Sequence, residues 1–271
     1  MEPLRFNNLE VRLASNNAEV DAAQALRYRI FHEELGATQA PNDGSRHRDV
    51  DPFDAHCDHL LVIDLERSDA DAPRVVGTYR MLRGDVAKAT SGFYSTSEFD
   101  LGPLLTYPGE IMELGRSCIE AKYRRRGAMQ LLWSGIAEYI VLHDVQVMFG
   151  CGSLHGTDPE EVRRPLAYLH HYHAAPVYLR PRAVDSRYVP MDTIAKDALD
   201  TDKALAELPP LLKGYLRLGG YVGDGAVVDH EFNTIDVCIV VETKSLAETY
   251  SRHFVRDRVA ASPAQSGITT A

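Results

Sequence analysis

Residues 111–129 read IMELGRSCIEAKYRRRGAM, and the stretch changes character twice. The first nine residues have the apolar content of a strand and carry Glu113 and Arg116. Lys122, Arg124, Arg125 and Arg126 then place four cations in five positions. An apolar stretch of helical period follows over residues 127–143, expected to bury Leu131, Leu132, Ile136 and Ile140, with Trp133 beside them. The start of a helix offers free backbone N–H groups and the positive end of the helix dipole, and both attract anions. Gly127 has no Cβ to obstruct a phosphate, and Ala128 after it is small. Strand, basic bend and helix together read as a cradle for a phosphate or pyrophosphate with an electropositive rim. A solvated basic turn ahead of a helix has the same local sequence, and the residues alone leave both readings open.

Working outward, residues 9–14 alternate as a strand. Asn16 with Glu19 is a capping pair for a helix carrying Val20, Ala23, Leu26, Arg27, Ile30, Phe31 and Leu35 at helical spacing, and Gly36 can end it. Residues 37–58 are polar and read as a long loop; loops of that length within a domain are usually functional. Strands are expected at 59–65 and 74–82, while 83–109 resist assignment. A strand over 145–150 ends in Gly150-Cys151-Gly152. Further on come a helix over 159–171 capped by Asp158, a strand near 177–180, a helix from Pro209-Pro210 to Leu218 closed by Gly219-Gly220, and a buried strand over 235–242. That order predicts an α/β fold with one mixed sheet. Residues 259–271 are expected to be a disordered tail.

The net charge of −10, from 29 basic and 39 acidic residues, argues against nucleic acid as a partner. The longest apolar runs, such as Leu60-Leu61-Val62-Ile63, are too short to span a bilayer. The start, MEPLRFNNLEV, lacks the pattern of a secretory leader, and four scattered cysteines suit a reducing compartment, so a cytoplasmic protein is expected.

The Arg124-x-x-Gly127 bend resembles the acyl-donor loop of the GCN5-related N-acetyltransferase fold. In that fold the loop binds the pyrophosphate of coenzyme A or the phosphopantetheine of an acyl carrier protein. Met129 stands where the usual pattern ends in Gly or Ala, which fits a donor with a single phosphate. Upstream, Arg27 and Phe31, Asp49-x-Asp51-x-x-Asp54, Arg80 in VVGTYRML and Glu113-x-x-Arg116 resemble the signature of acyl-homoserine lactone synthases. Leu35-Gly36-Ala37 stand where those enzymes carry a Trp, and this chain is longer. Residues 208–241, LPPLLKGYLRLGGYVGDGAVVDHEFNTIDVCIVV, together with MELGRSCIEAKYRRRGAMQLLW and FGCGSLHGTDP, are similar to the L-ornithine Nα-acyltransferases of ornithine lipid synthesis.

The resemblance covers nearly all of residues 9–255. It implies a mixed central sheet flanked by helices with an extended C-terminal half: one acyltransferase domain over 1–258, with its core at 9–155 and an extension at 156–258. It implies transfer of a 3-hydroxyacyl group from acyl carrier protein to the α-amine of ornithine, by direct attack on the phosphopantetheine thioester, giving lyso-ornithine lipid. Acyl carrier protein and ornithine are the partners, the carrier's thioester is a co-substrate, and no cofactor is bound. The amphiphilic product adds a transient, peripheral contact with the inner membrane surface. The competing readings are acyl-homoserine lactone synthesis, acylation of glutamine, glycine or lysine, and a non-catalytic module that senses acyl carrier or amino acid.

N-acylation needs a neutral amine, so a base must remove a proton. Glu113 is the candidate, with Arg116 beside it, and an ion pair of Glu113 with Arg116 or Arg80 is the structural alternative. Backbone N–H groups of residues 114–118 are the implied donors to the thioester oxygen. Asp49, Asp51 and Asp54 tend to need cationic partners, for which Arg27 and Arg80 or the ammonium groups of ornithine qualify; a solvated acidic loop is the alternative, and the resemblance implies an Arg–Asp network that orders the substrate lid. Asp229, Phe232, Asn233 and Asp236 form a second polar cluster, readable as amine recognition or as turn chemistry. The His170-His171-x-His173 and His56-Cys57-Asp58-His59 clusters lack metal-site spacing, so no metal is expected. Cys118 and Cys151 read as buried small side chains.

Overall fold

The computed structural model describes residues 1–38, 47–68, 73–125 and 127–244. Arg126 and the 259–271 tail lie outside the described residues. The strands are β1 (Leu4–Phe6), β2 (Leu9–Leu13), β3 (Asp58–Asp64), β4 (Val75–Arg83), β5 (Phe99–Asp100), β6 (Glu110–Ile119), β7 (Val145–His155), β8 (Arg182–Ala183), β9 (Tyr188–Val189), β10 (Tyr221–Asp229) and β11 (Thr234–Glu242). The α-helices are α1 (Asn17–Tyr28), α2 (Gly84–Ala89), α3 (Gly102–Leu105), α4 (Ala128–Leu142), α5 (Arg163–His173), α6 (Thr201–Glu207) and α7 (Pro210–Arg217). The strands join one mixed sheet in the order β1-β2-β3-β4-β6-β7-β11-β10-β8-β5, with β9 on β10. Among the described residues the only parallel neighbours between long strands are β6 and β7, which α4 connects.

The sheet is covered on both faces, which is why its strands are almost continuously apolar. Successive residues of β3 point to opposite sides. Leu60 and Val62 join Leu131, Leu132, Ile136 and Ile140 of α4. Leu61 and Ile63 meet Ala23, Leu26 and Ile30 on the α1 side. Asn16 caps α1 by accepting the Glu19 N–H at 3.0 Å. Beyond Tyr28 the helix widens into a π-helix, Arg29–Glu34, before Gly36 turns away at φ 78°.

Several boundaries differ from those expected. The strand expected to end at 150 runs to His155, because β11 pairs with it along its length, from Glu242↔Val147 to Thr234↔His155. The antiparallel neighbour of β11, β10, has no clear sequence signal, since glycines at 223 and 225 break its alternation. The helix capped by Asp158 is a turn first: Asp158 accepts the Glu160 N–H, and α5 starts at Arg163. Residues 177–179 form a 3-10 turn rather than a strand. Residues 83–109 hold two short helices and a 3-10 turn, Tyr94–Ser97, that becomes a wall of the site.

Candidate active site

β6 and β7 part company in mid-sheet. Their ladder ends at Glu113↔Phe149; beyond it β7 continues with β11, and the edge of β6 facing β7 loses its strand partner. Gly150 stands at the fork: a Cβ there would lie 2.1 Å from the Leu114 carbonyl oxygen, so only glycine lets the strands come this close before diverging. On its other side β6 bulges against β4. Thr78↔Cys118 and Arg80↔Gly115 are successive pairs, which leaves β6 one extra residue, and Arg116 takes φ 52° within it. Fork and bulge open a cleft of about 230 Å³. One part of its wall is apolar, with Phe31, Leu35, Tyr79, Leu114, Leu211 and Leu212. The rest is charged or polar: Arg80, Glu113, Arg116, Cys151, Asp229 and Asp236 line it with Ser95, Ser117 and Ser153.

The expected arginine–aspartate cluster is a closed network under one side of this cleft. Arg27, fully buried, reaches Asp49 at 2.6 Å and Asp54 at 2.9 Å. Arg80 meets Asp51 at 2.5 Å and Asp54 at 3.0 Å. Arg116 meets Asp49 at 3.2 Å and Asp51 at 3.1 Å. Three cations thus balance three anions. Burial pushes Asp54 and Asp49 toward neutrality, but the arginines outweigh it and hold both carboxyls below their usual range. Asp51 and Asp54 also form a reciprocal cap on the 3-10 helix Pro52–His56. Arg80 and Arg116 line the cleft, whereas Arg27, Asp49, Asp51 and Asp54 do not. The Arg116 guanidinium is sandwiched between the rings of Tyr94, at 4.7 Å, and Phe232, at 4.6 Å. Phe31 meets Phe232 edge-on with ring centres 5.8 Å apart.

Glu113 forms no ion pair with any described residue. Its carboxylate accepts the Tyr94 N–H at 2.9 Å and the Ser95 N–H at 2.8 Å, the free donors at the start of the 3-10 turn. Burial raises its pKa, so a cleft-facing carboxylate here is a stronger base than an ordinary glutamate. The same turn carries Glu98, whose carboxylate accepts from the Cys151 thiol at 3.3 Å. Burial, then the charge of Asp236, lifts Glu98 to about 7. Asp236 rises to about 6, chiefly through burial. Cys151 and Cys118 are thiols, not thiolates: burial raises both, Cys118 to about 12. Neither has the lowered pKa of a nucleophile.

The β10–β11 turn combines both readings of its polar cluster. Asp229 lines the cleft and also accepts the N–H groups of Glu231 and Phe232. Asn233, at φ 54°, serves the turn and does not line the cleft. The basic bend stays on the surface outside the cleft. Arg125 is exposed, and Arg124 pairs with Glu34 at 2.6 Å. Gly127 takes φ 82°, and the ring of Phe6 fills its bare side, within 2.8 Å of where a Cβ would sit. The expected open face of this glycine is therefore occupied by an aromatic ring. Ala128 is fully buried, and no side chain caps α4. Among the described residues no helix is long and apolar enough to cross a membrane.

The acetyltransferase (GNAT) domain profile matches residues 26–134, the segment from α1 through the fork into α4. The chain is 49% identical over 259 residues to the L-ornithine N(alpha)-acyltransferase of Rhizobium meliloti strain 1021, covering 93% of this chain and 86% of the relative. It is 44% identical to the protein of that name from Rhodobacter capsulatus, covering 91% and 95%. The chain belongs to the L-ornithine Nα-acyltransferase family. It is an N-acyltransferase with the GNAT fold. Among solved structures it resembles FeeM, an N-acyl amino acid synthase from uncultured soil microbes, with a TM-score of 0.50 at 11% identity over 92% of this chain and 99% of that one. That likeness concerns the fold. Sequence reading missed Tyr94, Ser95 and Glu98; their one signal was a turn-forming FYSTSE segment placed between aromatic residues.

Proposed function

We propose that the protein transfers a 3-hydroxyacyl group from acyl carrier protein to the α-amine of ornithine, giving lyso-ornithine lipid. The observation that carries this reading is one cleft with an apolar wall for a fatty chain, a basic carboxylate at Glu113 that forms no ion pair among the described residues, and further carboxylates at Asp229 and Asp236. Glu113 takes a proton from the α-ammonium, and the freed lone pair attacks the thioester carbonyl. The oxyanion is met by backbone N–H groups of the partnerless edge of β6. The C–S bond then breaks as the attacking nitrogen gives up its second proton, which leaves with the pantetheine sulfur as a thiol. Arg80 and Arg116 keep the cleft floor in place and offer positive charge to the amino acid's carboxylate. Asp229 and Asp236 meet its ammonium groups. The network of Arg27, Asp49, Asp51 and Asp54 supports these arginines from behind.

The bend at Lys122, Arg124 and Arg125, with the uncapped start of α4 at Ala128, is the docking place for the acidic carrier and its phosphorylated arm. Purified protein incubated with 3-hydroxyacyl-carrier protein and ornithine yields N-acyl ornithine by mass spectrometry. Absence of product with ornithine and with a panel of other amino acids sinks the proposal.

A further inference from the structure

We infer that Asp236, backed by Glu98 through the Cys151 thiol, forms the pocket that selects an amino acid with a primary ammonium on a short side chain. The inference deepens the amine-acylation reading above and rests on it. Asp236 is 5% exposed and lines the cleft, yet its Oδ1 has no hydrogen-bond partner among the described residues. A buried carboxylate oxygen left bare costs free energy unless a ligand completes it. The ligating atoms of Asp236, Glu98 and Cys151 all lie within 4.8 Å of one another, so one cation can touch the first and feel the second. Arg187 is 3.7 Å from Glu98, and it also donates to the Val228 carbonyl. Asp229, buried and also lining the cleft, has one carboxylate oxygen already engaged by its own turn. The corner is thus short of positive charge, unlike the balanced arginine–aspartate network. The raised pKa values of Glu98 and Asp236 express the same deficit, and an arriving ammonium would relieve it.

The corner is also connected to the proposed base. Ser95 donates its N–H to Glu113 and sets its hydroxyl 3.4 Å from the Cys151 sulfur, whose proton points to Glu98. Glu113 and Asp236 both line the cleft, and Glu113 is linked to the Asp236–Glu98 corner through one serine and one thiol. One substrate can lose a proton at the first while its far ammonium is held at the second. A neutral side chain leaves the corner uncompensated.

The test compares wild type, Asp236→Asn and Glu98→Gln with one defined 3-hydroxyacyl-carrier protein and four acceptors: ornithine, lysine, 2,4-diaminobutyrate and norvaline. Both variants should lose about 10- to 100-fold in kcat/KM for ornithine, mostly through KM, as expected for a lost charged contact. The kcat/KM for norvaline should fall far less than that for ornithine, so the preference for ornithine collapses. Thermal shift of each variant checks folding, and ornithine should raise the Tm of wild type more than norvaline does. An unchanged ornithine-to-norvaline ratio in folded variants overturns this inference and leaves acyl transfer standing. A wild-type enzyme that acylates none of the four overturns both. Activity abolished by a chelator and restored by a divalent cation would also overturn it, marking the three residues as a metal site.

Discussion

Replacing Arg27 with methionine removes one cation from a buried cluster that is balanced at three against three. The side chain is 1% exposed, so no solvent can take its place. Asp49 would keep Arg116, and Asp54 would keep Arg80 and the Gln24 amide at 2.9 Å. Breaking a buried pair by deleting one partner typically costs about 3–5 kcal/mol, and these surviving contacts point to the lower end. Against a total stability of about 5–15 kcal/mol, that is a large fraction. Urea unfolding at pH 7 should therefore show a lower midpoint with an unchanged slope. Arg27→Met with Asp54→Asn restores the charge balance and should recover part of the loss, a coupling measurable by a double-mutant cycle. Because Arg27 does not line the cleft, the folded fraction of the single variant should keep its KM for ornithine in the cold. An unchanged urea midpoint would refute the structural role of the network. A stable variant with a selectively raised ornithine KM would make Arg27 a contact residue instead.

Glu113→Gln keeps the shape of the side chain and removes its basicity, so kcat should fall by about 10²–10⁴ with little change in donor KM; equal turnover would remove Glu113 from the proton transfer. Gly150→Ala should destabilise the fold or force the fork apart, read as a lowered Tm, because its Cβ meets a main-chain oxygen at 2.1 Å. Arg124→Glu with Arg125→Glu should raise the carrier KM steeply at low salt and less at high salt; a flat response would detach the bend from donor docking. Glu98 and Asp236 bind protons more tightly folded than unfolded, so their contribution falls as pH rises from the ordinary carboxyl range through about 6 and about 7. The substrate-free protein should accordingly unfold at lower urea at pH 8 than at pH 5.5, and Glu98→Gln should flatten that slope.

Much of this was legible in the chain. The bend from strand to helix at residues 111–129, the apolar face of α4 and the Asn16 cap follow from local pattern, because each depends on neighbours a few residues away. The pairing of Arg27 and Arg80 with Asp49, Asp51 and Asp54 followed from the family resemblance, since charge alone fits a solvated acidic loop equally. What escaped was long-range. β10 hid behind two glycines, and β7 was cut short because the partner that extends it lies some ninety residues on. The wall at Tyr94, Ser95 and Glu98 carries no periodicity, and its role depends on Glu113 and Cys151 meeting it from other strands. Gly127 was read as bare for a phosphate, but nothing local reveals that Phe6 from a separate hairpin covers it.

The position of the new amide bond tests the proposed chemistry most directly. Ornithine has two amines, and the proposed chemistry assigns one to Glu113 and the other to the Asp236–Glu98 corner. Tandem mass spectrometry of the product from ornithine and 3-hydroxyacyl-carrier protein should show acylation on the α-nitrogen, with the side-chain amine free. Product acylated on the δ-nitrogen, or a mixture of the two, would contradict the assignment of those two stations.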